Sequence, residues 1–207
     1  MNDVILKGIT LGLLLGLSVS PILFSIIKQS INNGVKGGLA FVIGVSFSDV
    51  TLAVVSNVFT ELFTSLTAKK ELIGAIGSSF LISVGIYFLF FKKVQVNEAG
   101  AQLIKFRKRD YLKLFLSGFF MNTLNPFIIL FWLTTTTGFA NHTLNERITI
   151  FTTALIILAI ADLSKVFLAN RIRKRLTTKN IHLINRINGL ILVGFGVALL
   201  VGLMFYT

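Results

Sequence analysis

The sequence predicts an all-α integral membrane protein of six transmembrane helices in a 3+3 inverted repeat, with the first and fourth helices bent or broken at proline. Three observations carry that expectation. Mean hydropathy is +0.84 and only 14% of residues are charged, too few for a soluble domain of 207 residues. Apolar runs of the ~20 residues that a helix needs to cross a bilayer recur six times. The chain's two prolines, Pro21 and Pro126, occupy matching places: each lies inside an apolar stretch, and each is followed one apolar segment later by a lone acid, Asp49 or Asp162.

The runs extend from about Val4 to Ile27, Gly38 to Phe63, Leu72 to Phe91, Leu112 to Thr137, Ile148 to Asn170 and Ile184 to Phe205. Together they leave no stretch large enough for a soluble domain, so the chain reads as one membrane domain. Repeat one covers about 1–93 and repeat two about 112–207, joined by a basic linker at 94–111. The N-terminal run reads as a span and not a cleaved leader, because Asp3 precedes it and its small residues Ser18 to Ser20 run into Pro21.

The formal charge of +12 suggests a nucleic-acid binder only until the basic residues are placed. They lie in loops between the spans. The first, third and fifth loops hold fifteen Lys and Arg, from Lys28 and Lys36 through Lys92 to Lys113 and on to Arg171 to Arg186, against four on the other side. The positive-inside rule makes the richer side cytoplasmic and puts both termini outside. No nucleic acid is implied; the basic linker, with an interfacial helix through Leu103 and Phe106, suits contact with anionic lipid.

The repeat rests on three landmarks in the same order. The prolines are 105 positions apart, the aspartates 113, and GSSFLISVG at 77–85 aligns with NGLILVGFG at 188–196, pairing Gly85 with Gly196. Three crossings per half invert the second copy, an arrangement in which the working site lies near the midplane between the repeats. In the first span Gly8, Gly12, Gly16 and Ser20 form a small-residue stripe, as do Gly189, Gly194, Gly196 and Gly202 in the last. Such stripes let helices approach closely. Packing inside one chain is the first expectation, and a homo-oligomer contact is the alternative.

Candidate chemistry sits at the landmarks. A proline within a membrane helix removes a backbone donor and displaces the carbonyl four residues earlier. Ser20 and Asn125 are N-cap residues directly ahead of Pro21 and Pro126, so both sites read as starts of half-helices with free N–H groups and a positive dipole end. With Asn122 and Thr123 one turn earlier, Ser20, Pro21, Asn122, Asn125 and Pro126 are the expected substrate-binding residues, suited to a carboxylate or other anionic group. Asp49 falls ~17 Å into its span at helical rise, and a charged aspartate there costs ~2.5–3.5 kcal/mol on insertion scales. Asp49 and Asp162 are therefore the expected proton- or cation-coupling groups. Lys165, at i+3 from Asp162, either pairs with it or snorkels to the surface.

The stretch SVSPILFSIIKQSINNGVKGGLAFVIGVSFSD, the element FLSGFFMNTLNPFIILFW and the closing RINGLILVGFGVALL resemble the LysE/RhtB family of amino-acid exporters. The likeness covers nearly the whole chain. It departs at Val19 and Ser20, where the family usually has glycine, often with a second proline before it. The resemblance implies a six-span protein of the bacterial cytoplasmic membrane that exports amino acids or related small metabolites, driven by the proton gradient. It implies no enzyme activity and no cofactor.

Two other readings differ in class. A metal-cation exporter would use the two carboxylates with Asn122 and Asn125 as hard oxygen ligands, although two carboxylates are few. An intramembrane aspartyl protease would need Asp49 and Asp162 to share a proton, but SFSD and AIAD lack the glycine-rich and tyrosine contexts expected of one. Without cysteine, neither a disulfide nor a thiolate metal site is available. No metal site is expected at His142 and His182, which read as solvated loop residues. Asn141-His142-Thr143 matches a glycosylation sequon, a pattern that arises easily by chance.

Overall fold

The computed structural model describes residues 2–58, 70–90, 108–173 and 178–205, which form seven helices and, among these residues, no strand. They are α1 (Asn2–Leu17), α2 (Pro21–Val58), α3 (Lys70–Phe90), α4 (Lys108–Thr123), α5 (Pro126–Gly138), α6 (Leu144–Arg173) and α7 (Thr178–Phe205). Both prolines open a helix. The expected first span is thus divided between α1 and α2, and the expected fourth between α4 and α5, which meet at a 60° bend.

The largest departure from the sequence reading is the absence of a first loop. Helix α2 runs from the first expected span into the second, interrupted only at Gly34 (φ 70°, ψ −175°), a backbone region that is essentially glycine's alone. Eight residues along a straight helix cover ~12 Å, yet a Cβ on Gly38 would collide with Ser30 Oγ. The chain therefore folds back on itself at Gly34. Lys28, expected in that loop, is fully buried in the segment before the corner, along with Ser25, Gln29, Ser30 and Asn32.

By length and apolarity, Pro21–Val58 and Leu144–Ile172 qualify as intact spans and the bent α4–α5 pair as a third, where the hydropathy runs predict six. The other runs survive as shorter pieces: α1 has 16 residues, and Ser78–Tyr87 and Arg186–Gly202 are the apolar parts of α3 and α7. Leu14, Leu17, Phe47, Val54, Phe167 and Val201 are exposed, as the lipid-facing surface of a membrane bundle requires. The linker up to residue 107, including Leu103 and Phe106, lies outside the described residues.

Close packing joins the two halves. Helix α1 packs on α6, α2 on α4 and α6, and α3 on α7; of the helix pairs in sustained contact, only α4·α5 stays within one half. Glycines set these approaches. A Cβ added to Gly8 or Gly12 would stand 2.6 Å from the Ile150 or Ala154 carbonyl oxygen, and one on Gly16 2.8 Å from Ala161 Cβ. The first stripe therefore packs within the chain. At the α2·α4 crossing Gly44 faces the Phe115 carbonyl and Gly118 the Phe41 carbonyl, and at α3·α7 Gly85 and Gly189 each face the other's carbonyl. Gly196 packs on Ser78, whereas Gly194 and Gly202 face open space, which limits the last stripe to two of its four glycines.

Two apolar clusters result. One gathers Ile22, Ile26, Phe41, Val45, Met121 and Leu192; the other gathers Leu15, Leu52, Ile128, Trp132, Ile150 and Leu158. Asp49 lies on α2 one turn from Val45 and one turn from Leu52, between the two.

Candidate functional site

Asp49 is 2% exposed, and two side chains hold the same oxygen of its carboxylate. Asn122 Nδ2 donates to Oδ1 at 2.9 Å and Trp132 Nε1 donates to it at 3.0 Å. Asn122 belongs to the last turn of α4 and Trp132 to the second turn of α5, so the bend between these helices brings both donors to one acceptor. Asn122 Nδ2 also approaches Ser48 Oγ (3.2 Å) and the Val45 carbonyl (3.4 Å), and Ser48 shares a 2.7 Å hydrogen bond with Thr123. Trp132 stacks on Phe151, ring centroids 5.8 Å apart. Sequence reasoning missed Trp132. The available signal was that the chain's single tryptophan lies in an apolar helix, where a buried indole N–H needs an acceptor.

The two helix starts differ in quality. Asn125 is extended (φ −82°, ψ 109°), and its Oδ1 accepts from the Phe127 N–H at 3.1 Å, the N-cap geometry its sequence position implies. Its Nδ2 is buried without a partner among the described residues. Ser20 Oγ accepts from the Leu23 N–H at 3.4 Å, and its carbonyl from the Phe24 N–H at 3.5 Å, a looser cap.

A small cavity of about 20 Å³ collects the polar groups Ser18, Ser20, Asp49, Asn122, Asp162 and Lys165 between walls from Leu15, Ile22 and Leu158. It has room for about one water. Asp162 accepts from Lys165 Nζ at 2.6 Å, and the lysine side chain is only 16% exposed, so it turns inward to its partner and does not reach the surface. Of the residues singled out from sequence, the cavity unites Ser20, Asn122, Asp49 and Asp162; Pro21 adjoins it through Ser20, while Asn125 and Pro126 are not among its lining residues. Among the described residues no three His, Cys, Asp or Glu side chains come together. The site can carry a proton on a carboxylate, hold an ammonium against one, or hold a carboxylate against Lys165.

A groove along the α2·α6 seam passes Asp49, with a cavity of about 300 Å³ lined by Val50, Thr152 and Leu155 and another of about 340 Å³ reaching Asn57 and Arg147. At that end Arg147 donates to Asn57 Oδ1 from Nε (3.1 Å) and Nη2 (2.5 Å), and Asn57 Nδ2 donates to Thr136 Oγ1 at 3.3 Å. One asparagine thereby ties α2, α5 and α6. Beside it Thr143 and Glu146 cap α6 reciprocally, and the Thr143 N–H holds the Glu146 carboxyl below its ordinary range. His142 is not the solvated loop residue expected: it is half-buried, 3.3 Å from Lys7 Nζ and edge-on to Phe139. Lys7 also pairs with Asp3 at 2.7 Å and holds that carboxyl low. The side chain of His182 lies outside the described residues.

Interrupted apolar helices meeting at a cavity lined by ionisable groups are an arrangement that membrane translocators use. The family model described as LysE type translocator matches residues 13–203, nearly the whole chain, and the protein belongs to that family. It is a multi-pass membrane protein of a family that exports amino acids or related compounds. No curated protein and no solved structure matches the chain.

Proposed function

We propose that the protein is a secondary active exporter of an amino acid or related small metabolite across the bacterial cytoplasmic membrane, exchanging it for a proton. The carrying observation is the small cavity shared by Asp49, Asp162 and Lys165. Two carboxylates face one ammonium there, so full ionisation leaves one unbalanced negative charge in an apolar bundle, a costly state. A proton on Asp49 removes the imbalance, and the ammonium group of a substrate can instead pair with that carboxylate. The two compete for one carboxylate, which is the condition for exchange transport. Asp162, held by Lys165, serves as the partner acid, while Ser20, Pro21, Asn122, Asn125 and Pro126 orient the substrate around the two helix starts.

A 3+3 inverted repeat with six crossings and both termini outside is the scaffold we infer. The contacts support it. A shift of 111 positions turns Gly85 into Gly196 and Ser78 into Gly189, and the contact of Gly85 with Gly189 has its counterpart in that of Gly196 with Ser78. Likewise Gly12 against the Ala154 carbonyl mirrors Gly118 against that of Phe41, and Ala154 and Phe41 are separated by the same 113 positions as the aspartates. Rocking one half against the other would then expose the cavity alternately to each side. A metal-cation exporter has less support, because a lysine ammonium already occupies the Asp162 carboxylate.

Purified protein in liposomes, given an imposed pH gradient and a mixture of labelled L-amino acids, tests the reading. Gradient-driven accumulation that a protonophore abolishes is expected. Flux of Mn2+ or Ca2+ without any amino-acid flux would move the assignment to the cation reading.

A further inference from the structure

We propose that Lys165 is the receptor for the substrate's carboxylate, and that the Asp162–Lys165 pair holds the place a zwitterion takes. The proposal rests on the amino-acid reading above and assigns its specificity to a residue. Lys165 lies only six residues before Arg171, yet its ammonium is turned into the cavity and held 2.6 Å from Asp162. Stability alone gives a poor account of this choice, because a buried ion pair is often no better than apolar residues of the same size. The charged groups facing Lys165 across the cavity are Asp162 on its own helix and Asp49 on α2; α1, α4 and α5 contribute Leu15, Asn122 and Ile128, none of them charged.

Substitution by a zwitterion conserves this balance. The substrate's ammonium replaces Lys165 at an aspartate, its carboxylate replaces Asp162 at Lys165, and the net charge of the cavity is unchanged. An amine without a carboxylate would offer Lys165 no anion in exchange for Asp162, and a carboxylate without an amine would add a third negative group. A released lysine left without an anion, or a third negative group, is penalised where the empty site has room for about one water. The two aspartates also differ in how they are held. Asp49 takes two uncharged donors on Oδ1, whereas Asp162, among the described residues, takes Lys165. Release of Lys165 toward a substrate carboxylate therefore leaves Asp162 to share the arriving ammonium with Asp49, whose Asn122 and Trp132 donors stay in place.

The test uses the full-length protein in proteoliposomes loaded with a labelled L-amino-acid mixture. Unlabelled L-amino acids are compared, as competitors, with the corresponding L-amino-acid amides, which keep the ammonium and lack the carboxylate. Wild type is expected to prefer the acids by roughly tenfold or more, the scale of one lost charge-assisted contact. Lys165→Arg should keep that preference, and Lys165→Met should reduce it to about twofold or less. The double variant Asp162→Asn/Lys165→Met, which leaves no orphaned charge, must show the same loss and decides the matter if the single variant does not fold. Undiminished acid preference in either Met-containing protein overturns the Lys165 assignment while the amino-acid reading stands. No amino-acid flux in wild type overturns both.

Discussion

Replacing Asp49 in two ways separates what its carboxylate does for the fold from what it does for transport. Asparagine keeps a carbonyl oxygen where Oδ1 now accepts from Asn122 and Trp132; both hydrogen bonds survive, and Asp49→Asn should change stability by no more than about 1 kcal/mol. Alanine removes the acceptor. Asn122 Nδ2 still has Ser48 Oγ and the Val45 carbonyl within reach, so its loss is small, but the Trp132 N–H is left buried and unpaired at a cost of about 1–3 kcal/mol. The predicted quantity is therefore a gap of about 1–3 kcal/mol between the two variants. Denaturant titration in detergent, followed by tryptophan emission, measures it, because Trp132 is the chain's one tryptophan and reports from the site itself. In the same preparations Asp49→Asn should lose proton-driven flux while remaining folded. Equal destabilisation by the two substitutions would refute the acceptor argument, and coupled flux at the wild-type rate in Asp49→Asn would refute the proton role.

Three further outcomes follow from other parts of the molecule. With no native cysteine in the chain, a disulfide between Asn57→Cys and Arg147→Cys should lock α2 to α6 and arrest transport reversibly on reduction; undiminished flux in the oxidised protein would show that this end does not open. Gly34→Ala forces a side chain into a backbone region that costs about 1–3 kcal/mol for any other residue, read as a lower unfolding midpoint in detergent, and no change would mean the corner relaxes freely. Gly118→Ala and Gly44→Ala each drive a methyl group into a backbone carbonyl across the α2·α4 crossing, with an expected loss of about 1–3 kcal/mol apiece. The double variant should lose less than the sum, since the first substitution already separates the helices.

How far the sequence could be read depended on the range of the interactions involved. The Asn125-Pro126 start was legible because capping is settled within three residues, and the structure gives it a 3.1 Å bond from Phe127. Asp49 and Asp162 were legible because an acid in an apolar run is conspicuous on cost alone. Trp132 was not, since its meaning lies in an acceptor 83 positions away that only the α4–α5 bend brings within reach. The segment between Ile27 and Gly38 read as a loop because it parts two apolar runs and carries Lys28 and Lys36; here a single glycine makes the whole turn, and Lys28 is drawn inside with the helix before it. Hydropathy counted six runs, but it does not register where proline and Gly34 cut or join helices, which is why runs and helices disagree.

The exchange of partners between halves also governs how the protein is made. Helix α1 is synthesised first, yet the surface that receives Gly8 and Gly12 belongs to Ile150 and Ala154 on α6. At the ~5–20 residues per second of translation, roughly 10–30 s pass before that surface exists. Over that interval the glycine face of α1 has no permanent neighbour, and the insertion machinery or the lipid must shield it. A nascent chain stopped ahead of α6 would hold α1 and α3 in the membrane without their partners α6 and α7, a substrate for quality-control proteases.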